Sequence, residues 1–226
     1  MRHLAARPAV SAAHLPGEEL AVPVHGRAEL FDLRDAAHGE LRQAGSVAVV
    51  DHALTTERLV LRPVTARDRD ALLAHWTLPD VRRFLFDGAA LSAGEITETI
   101  KDSARDFAAS GYGVWLIREH DRAELAGTAG LRPLEDLGLE IFYSLAPAWW
   151  GRGYATEAAR AVLEYALGPL GLPEVLAEVD EGNAASVAVV ERLGMTANAV
   201  VPGVLGPMTR YRRTAWPPPR ALPQVS

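Results

Sequence analysis

The chain has 226 residues, 49% hydrophobic and 23% charged, with a formal net charge of −6; this suits one globular domain with an appendage and argues against general affinity for nucleic acid. It contains no cysteine, which excludes disulfides, a thiolate nucleophile and Cys-ligated zinc. No apolar run approaches the ~18 residues of a membrane-spanning helix, and the first residues lack the continuous apolar core of a signal peptide, so a cytoplasmic protein without membrane or nucleic-acid partners is expected.

Residues 1–54 are expected to form an N-terminal extension, with a short helix over Ala28–Leu41 and a short strand over Ser46–Val50. Five of the seven histidines lie there (His3, His14, His25, His38 and His52) without HxH or HxxxH spacing. They read as solvated side chains, and no metal is expected. Leu59–Pro63 reads as a strand stopped by proline. Thr65-Ala66-Arg67-Asp68 has the form of a capping box with Asp in the Glu position, opening a helix through about Leu78. Ser92-Ala93-Gly94-Glu95 is a full box, and Ile96, Ile100, Ala104, Phe107 and Ala108 continue one helix face to Gly111.

Gly113–Ile117 and Glu124–Leu131 are expected to form a hairpin, followed by a central strand over Leu139–Leu145. A helix is expected from about Thr156 to Gly168, since Ala155, Ala158, Ala159, Val162, Leu163 and Ala166 recur at helical spacing. Glu174–Val179 is the next strand. Asn183 can cap a last helix through Leu193, and Met208–Thr214 is a final strand. Residues 216–226 form a proline-rich tail, leaving 55–215 as the domain.

Between the central strand and the helix stands Trp150-Gly151-Arg152-Gly153-Tyr154-Ala155-Thr156-Glu157-Ala158. Two glycines just ahead of a helix leave backbone N–H groups uncovered beside the positive end of its dipole, which makes a cradle for phosphate. Alone, Gly-x-Gly equally describes an ordinary strand-to-helix turn. A Rossmann-type site would need a third glycine where Thr156 stands, and an early position in the chain.

The order of elements resembles the GNAT superfamily of acyl-CoA-dependent N-acetyltransferases, and within it the branch of ribosomal-protein N-terminal acetyltransferases (the RimJ/RimL type). Four stretches carry the likeness. They are Thr56 to Pro63, Glu140-Ile141-Phe142-Tyr143, Trp149 to Ala158, and Asn183-Ala184-Ala185-Ser186 leading to Leu193-Gly194-Met195. The resemblance implies an α/β (α+β) fold, with a mixed, mostly antiparallel twisted sheet flanked by helices and splayed at the acyl-CoA site. It implies acetyl-CoA as co-substrate and an amine acceptor, either a small molecule or a protein N-terminus. Homodimers are common in the branch. An idle acyl-CoA-binding sensor of the same fold is the alternative function.

The same resemblance assigns coenzyme binding to the loop of Trp150, Gly151, Arg152, Gly153, Tyr154, Ala155 and Thr156, to Tyr143, Ser144 and Leu145 on the strand, and to Asn183 and Ser186. Trp150 stands where the family has Gln or Arg. Arg152 reads equally as a phosphate ligand or a solvated side chain. A main-chain N–H near Tyr143 to Leu145 would polarise the thioester carbonyl. Glu140 is the candidate base, needed because an alkyl ammonium has a pKa of ~10; a structural glutamate is the other reading. Many members carry a tyrosine acid where this chain has Val190, so Ser186 and Tyr143 are the substitutes. The acceptor would meet residues 76–91 and 200–211, where Trp76, Phe84 and Phe86, with Trp115 and Trp149, either line a cleft or belong to the core.

Overall fold

The computed structural model describes residues 48–215. The helix expected over Ala28–Leu41, the rest of the extension to residue 47, and the tail from 216 lie outside the described residues. Strands β1 (Ala48–Val50), β2 (Ala53–Thr55) and β3 (Leu59–Pro63) precede helices α1 (Arg69–Trp76), α2 (Pro79–Leu85) and α3 (Ala93–Ser110). Then come β4 (Val114–Glu119), β5 (Gly127–Pro133), β6 (Leu139–Leu145), α4 (Tyr154–Leu167), β7 (Glu174–Asp180), α5 (Ala184–Arg192), β8 (Thr196–Pro202) and β9 (Pro207–Thr214). Among the described residues the strands make one sheet in the order β1-β2-β3-β4-β5-β6-β7-β9-β8. Every junction is antiparallel except that between β6 and β7, which is parallel and registers only Glu140 with Leu176. This is the expected α/β class, with a mostly antiparallel sheet parted at one place.

Alternation along the central strands divides the core in two. Val114 and Leu116 of β4 join Leu72, Trp76, Val81, Ile96 and Ile100, so α1, α2 and α3 cover one face. Trp115, Ile117, Ala129, Ile141 and Leu145 join Ala158, Ala159, Val162, Ala166 and Val190, so α4 and α5 cover the other. The helical repeat in α4 thus buries one small-residue stripe that lets the helix lie close to the sheet.

Three features differ from expectation. The helix expected to run through Leu78 is a 3-10 turn (Ala66–Asp68) followed by α1, which stops at Trp76, and Pro79 begins α2. Proline lacks the N–H that a continuing helix would need and suits a first helical position. Strand β8 had no periodic signal, because it is an edge strand with mostly exposed residues and its order comes from pairing with β9. The strand expected over Ser46–Val50 does form, as β1, and it pairs with β2 at the edge of the sheet. His52, between those strands, is not solvated: it is half-buried, with Nδ1 3.0 Å from the Tyr165 hydroxyl.

Both capping boxes form. Ser92 Oγ accepts from Glu95 N at 3.2 Å, while Glu95 accepts from Ser92 N at 2.8 Å. The Asp68 carboxylate, buried at the start of α1, accepts from Thr65 N at 2.9 Å and from both terminal nitrogens of Arg62 at 2.6 and 2.9 Å. Burial opposes the charge on Asp68, but the bonds from Arg62 and Thr65 outweigh it and hold the carboxyl at about 2, below its usual 3.8. The ionised form therefore stabilises the fold above about pH 4, and that contribution disappears as pH falls toward 2. Asp68→Asn is expected to lower stability by ~1–3 kcal/mol at pH 7. In urea titrations the deficit against the parent protein should shrink steadily between pH 4 and pH 2.

Candidate active site

After β6 the chain makes a 3-10 turn, Pro147–Trp149, and enters the glycine loop. Gly151 and Gly153 have φ of 73° and 78°, a region nearly closed to other residues. Gly153 is also the N-cap of α4. A Cβ added at Gly151 would meet nothing within 4 Å, and one at Gly153 only Arg58 Nη2 at 3.5 Å. The loop therefore borders open space just ahead of a 14-residue helix whose first-turn amides have no intrahelical partners. A di-anionic phosphate chain fits such a cradle, and a side chain at either glycine would project into it.

The flanking side chains hold the loop from behind. Trp149 is buried, and the half-exposed Trp150 donates its indole N–H to Leu145 O at 2.8 Å. Arg152 lies over the Trp149 ring at 5.1 Å and donates to Ala148 O at 3.3 Å. Tyr154 is buried and donates to Glu119; Ala155 and Thr156 are half-buried in the first turn. Glu157 ties that turn to the start of β3. Its carboxylate accepts from Thr56 Oγ1 at 2.6 Å, Arg58 N at 3.0 Å and Arg58 Nε at 2.7 Å. Burial works against this charge, yet the Thr56 and Arg58 bonds leave the carboxyl below its usual range. Arg58 also donates to Arg152 O at 3.0 Å and stacks on Tyr154 at 4.7 Å. Arg58 and Glu157 each lie in one of the four motif stretches, yet nothing in the sequence pairs them across the fold.

Past Glu140 the strands β6 and β7 separate, and the residues of β6 beyond that point are divided between two faces. Tyr143 points toward α5 and donates its hydroxyl to Ser186 O at 3.2 Å. Burial pushes this phenol well above its ordinary value, so it stays protonated. Asn183 caps α5 by accepting from Ser186 N at 3.2 Å. Val190, in the position of the family tyrosine, is fully buried in the core. Tyr143, Asn183 and Ser186 thus come together, with Leu145 buried at the end of the same strand face.

Glu140 is on the opposite face with Phe142 and Ser144, and these three register with Arg132, Gly130 and Thr128 of β5. Its carboxylate is buried and accepts from Arg132 Nε at 2.7 Å. Phe142 fills the space above Gly130, where a Cβ would come within 2.5 Å of its ring. A small cleft of about 50 Å³ opens on this side, lined by Trp76, Leu85, Phe86 and Phe142, with Asp106 and Arg132 among its polar groups. Burial, reinforced by the nearby Asp102 carboxylate, raises the Asp106 pKa. Of the aromatic residues named from the sequence, Trp76 and Phe86 line this cleft, Phe84 does not, and Trp115 and Trp149 belong to the other core.

Beside the cleft is a chain of hydrogen bonds with no sequence signal. Trp76 Nε1 donates to Thr128 Oγ1 at 3.0 Å, Thr128 Oγ1 is 2.9 Å from Ser144 Oγ, and Ser144 Oγ is 2.9 Å from His75 Nε2. His75 is buried, and burial lowers its pKa to about 4. No group of three or more metal-ligating side chains occurs among the described residues, and none of the described helices is long and apolar enough to cross a membrane.

A family model described as an acetyltransferase (GNAT) domain matches residues 58–196. YoaA of Bacillus subtilis, described as an uncharacterized N-acetyltransferase, is 31% identical over 154 residues, covering 66% of this chain and 85% of its own. The crystal structure of an acetyltransferase from Agrobacterium tumefaciens superposes with a TM-score of 0.62 at 27% identity, covering 77% of this chain and 99% of that one. RimL, an α-N-protein acetyltransferase of ribosomal L7/L12 solved with coenzyme A, superposes with a TM-score of 0.62 over 71% of this chain and 96% of its own. At 17% identity that likeness concerns the fold.

The Glu157 contacts set the angle at which α4 meets the loop. Glu157→Gln keeps the shape but weakens the bonds to Arg58, and is expected to cost ~1–3 kcal/mol, seen as a lowered melting temperature. Arg58→Ala should produce a similar loss, and the double variant little more, because both substitutions remove the same interaction.

Proposed function

Because the chain belongs to the GNAT acetyltransferase family, we propose that it transfers an acetyl group from acetyl-CoA directly to a primary amine, on a small molecule or a protein N-terminus. The observation that carries this reading is the glycine loop, with open space against Gly151 and Gly153, directly after the strand that parts from its neighbour. The first-turn amides of α4 would hold the coenzyme pyrophosphate, and the parted edge of β6 would take the pantetheine arm as an added strand. RimL, with the same fold, binds coenzyme A.

Acetyl-CoA supplies a thioester carbon open to attack and a leaving thiolate. This chain's residues would supply the rest. A main-chain N–H of Tyr143, Ser144 or Leu145 would polarise the carbonyl. Tyr143, kept protonated by burial, would stand with Ser186 near the leaving sulfur as proton donors. Coenzyme A thiol has a pKa close to the ~8.5 of a free cysteine thiol, so the demand on that donor is modest. Glu140 would draw the acceptor ammonium to the end of the aromatic cleft and take its first proton, with Arg132 holding the carboxylate in place. The apolar walls of the cleft suit the carbon skeleton of the acceptor, and Asp106 suits a cationic one.

Calorimetric titration with acetyl-CoA, followed by thiol release over a panel of amines and N-terminal peptides, tests the proposal. Sub-millimolar binding with release for one acceptor class is expected; absence of binding would overturn the reading. Gly153→Glu should abolish binding while lowering stability by only ~1 kcal/mol, the cost of a side chain at positive φ. A folded Gly153→Glu protein with unchanged affinity would remove the loop from the coenzyme site. Glu140→Gln should lower kcat about a hundredfold or more and spare acetyl-CoA affinity; an unaltered pH–rate profile would remove Glu140 from proton transfer.

A further inference from the structure

We infer that Ser144 and His75 form a second proton-accepting pair, which takes the amine's remaining proton as the new carbon–nitrogen bond forms. The inference rests on the acetyl-transfer reading above. Acetylation of an alkyl ammonium must shed two protons from nitrogen, one to free the lone pair and one after attack, and one carboxylate accounts for only the first.

The direction of the hydrogen bonds supports the assignment. Trp76 Nε1 can only donate, so Thr128 Oγ1 accepts from it at 3.0 Å. If Thr128 then donates to Ser144, and Ser144 to His75 Nε2, every hydroxyl proton in the chain has an acceptor at 2.9 Å. The reverse order would have His75 donate to Ser144 and Ser144 to Thr128, and would leave the Thr128 proton without a place in the chain. The first arrangement requires an imidazole with its Nε2 lone pair free. Burial of His75 favours that neutral form throughout the neutral range. The result is a serine hydroxyl aimed at an unprotonated imidazole, a pairing that can accept a proton at oxygen while passing its own to nitrogen.

The position supports it as well. Ser144 lies on the part of β6 beyond the single register with β7, next to Tyr143, whose hydroxyl reaches α5. On its own face it follows Phe142, a wall of the cleft, at two residues or about 7 Å along the strand. Glu140 lies the same distance on the other side of Phe142. Trp76, Phe142 and Arg132 line the cleft, and behind Phe142 on the same strand face stand the Glu140 carboxylate toward one end of the strand and the Ser144 hydroxyl toward the other. Trp76, beside His75 in α1, both lines the cleft and anchors the hydrogen-bond chain through Thr128.

The step balances. The amine lone pair forms the C–N bond to the thioester carbon, and the C–S bond breaks with its electrons on sulfur. The nitrogen proton moves to Ser144 Oγ as the serine proton moves to His75 Nε2. Burial disfavours the resulting imidazolium, so its proton passes back through Ser144 to solvent, as the first proton does from Glu140. The thiolate takes a proton from the Tyr143–Ser186 side that solvent replaces, a net release of one proton. The products are the amide and coenzyme A thiol, with the serine and histidine restored.

The test uses the full chain and two readouts. Imidazole nitrogen NMR, with His75 identified by the signal lost in His75→Gln, should find Nε2 unprotonated at pH 7 in the free protein. That resonance should shift on addition of acetyl-CoA, and Ser144→Ala should abolish the shift. With butylamine, spermidine and an alanine-terminated peptide as acceptors, Ser144→Ala and His75→Gln should each lower kcat about a hundredfold, with acetyl-CoA affinity within about twofold of the parent. A protonated Nε2 in the free protein, a His75 signal indifferent to bound acetyl-CoA, or kcat within about threefold in both variants would overturn the inference. Should Ser144→Ala fail to fold, His75→Gln and the NMR measurement decide. Calorimetric heat with an unmoved His75 would sink this pair and leave acetyl transfer standing, whereas no heat would sink both.

Discussion

The molecule is organised around a parallel junction that is almost not made. Strands β6 and β7 pair at Glu140 and Leu176 and then separate, although antiparallel pairing is continuous on either side. Separation leaves polar backbone edges inside the sheet, which are costly unless something pairs with them. The extended arm of a coenzyme is a chemically suitable partner, and the glycine loop follows the end of β6 on the far side of that opening from the Glu140 register. The same opening explains why residues from β6 and α5, forty-three positions apart, meet through Tyr143 and Ser186.

Around that opening the two sheet faces have different tasks. The α4–α5 face is nearly all apolar, with small residues that bring α4 down onto the strands. It supports the loop and the Tyr143–Ser186 contact. The α1–α3 face keeps polar groups inside: Asp68, His75, Thr128 and Glu140 are all buried there. Asp68, His75, Thr128 and Glu140 are each within hydrogen-bond distance of a named partner, as burial demands. Asp68 fixes the start of α1, which in turn positions His75 and Trp76 over β5 and β6. Structural capping and the chemistry of the cleft are thus linked through one short helix.

The loop shows how a charge network can set geometry without contacting a ligand. Glu157, Arg58 and Thr56 join the first turn of α4 to the start of β3, about a hundred residues earlier. With α4 held in place, the two positive-φ glycines project no side chain into the space ahead of it. Arg152 lies back against Trp149 and Ala148, so the cradle itself is mainly backbone.

The sequence by itself determined the elements whose signals are local. The helical stripe of α4, the Ser92 box, the Asn183 cap and the alternation of the central strands depend on neighbouring residues, and each formed where expected within a few positions. The glycine loop was legible because positive φ and an uncovered helix end have a compositional signature. Tertiary structure alone decided what depends on residues far apart in sequence. Strand β8 exists because β9 pairs with it, whereas the early end of α1 is local, set by Pro79 at the start of α2. Glu140 proved to be paired with Arg132 across the strand register. His75 carried no pattern of its own; only the packing of α1 on β6 brings its ring to Ser144, and only burial there keeps it neutral. A side chain's chemistry is set by its partners and its solvation, and for His75 and Glu140 both were fixed by the fold.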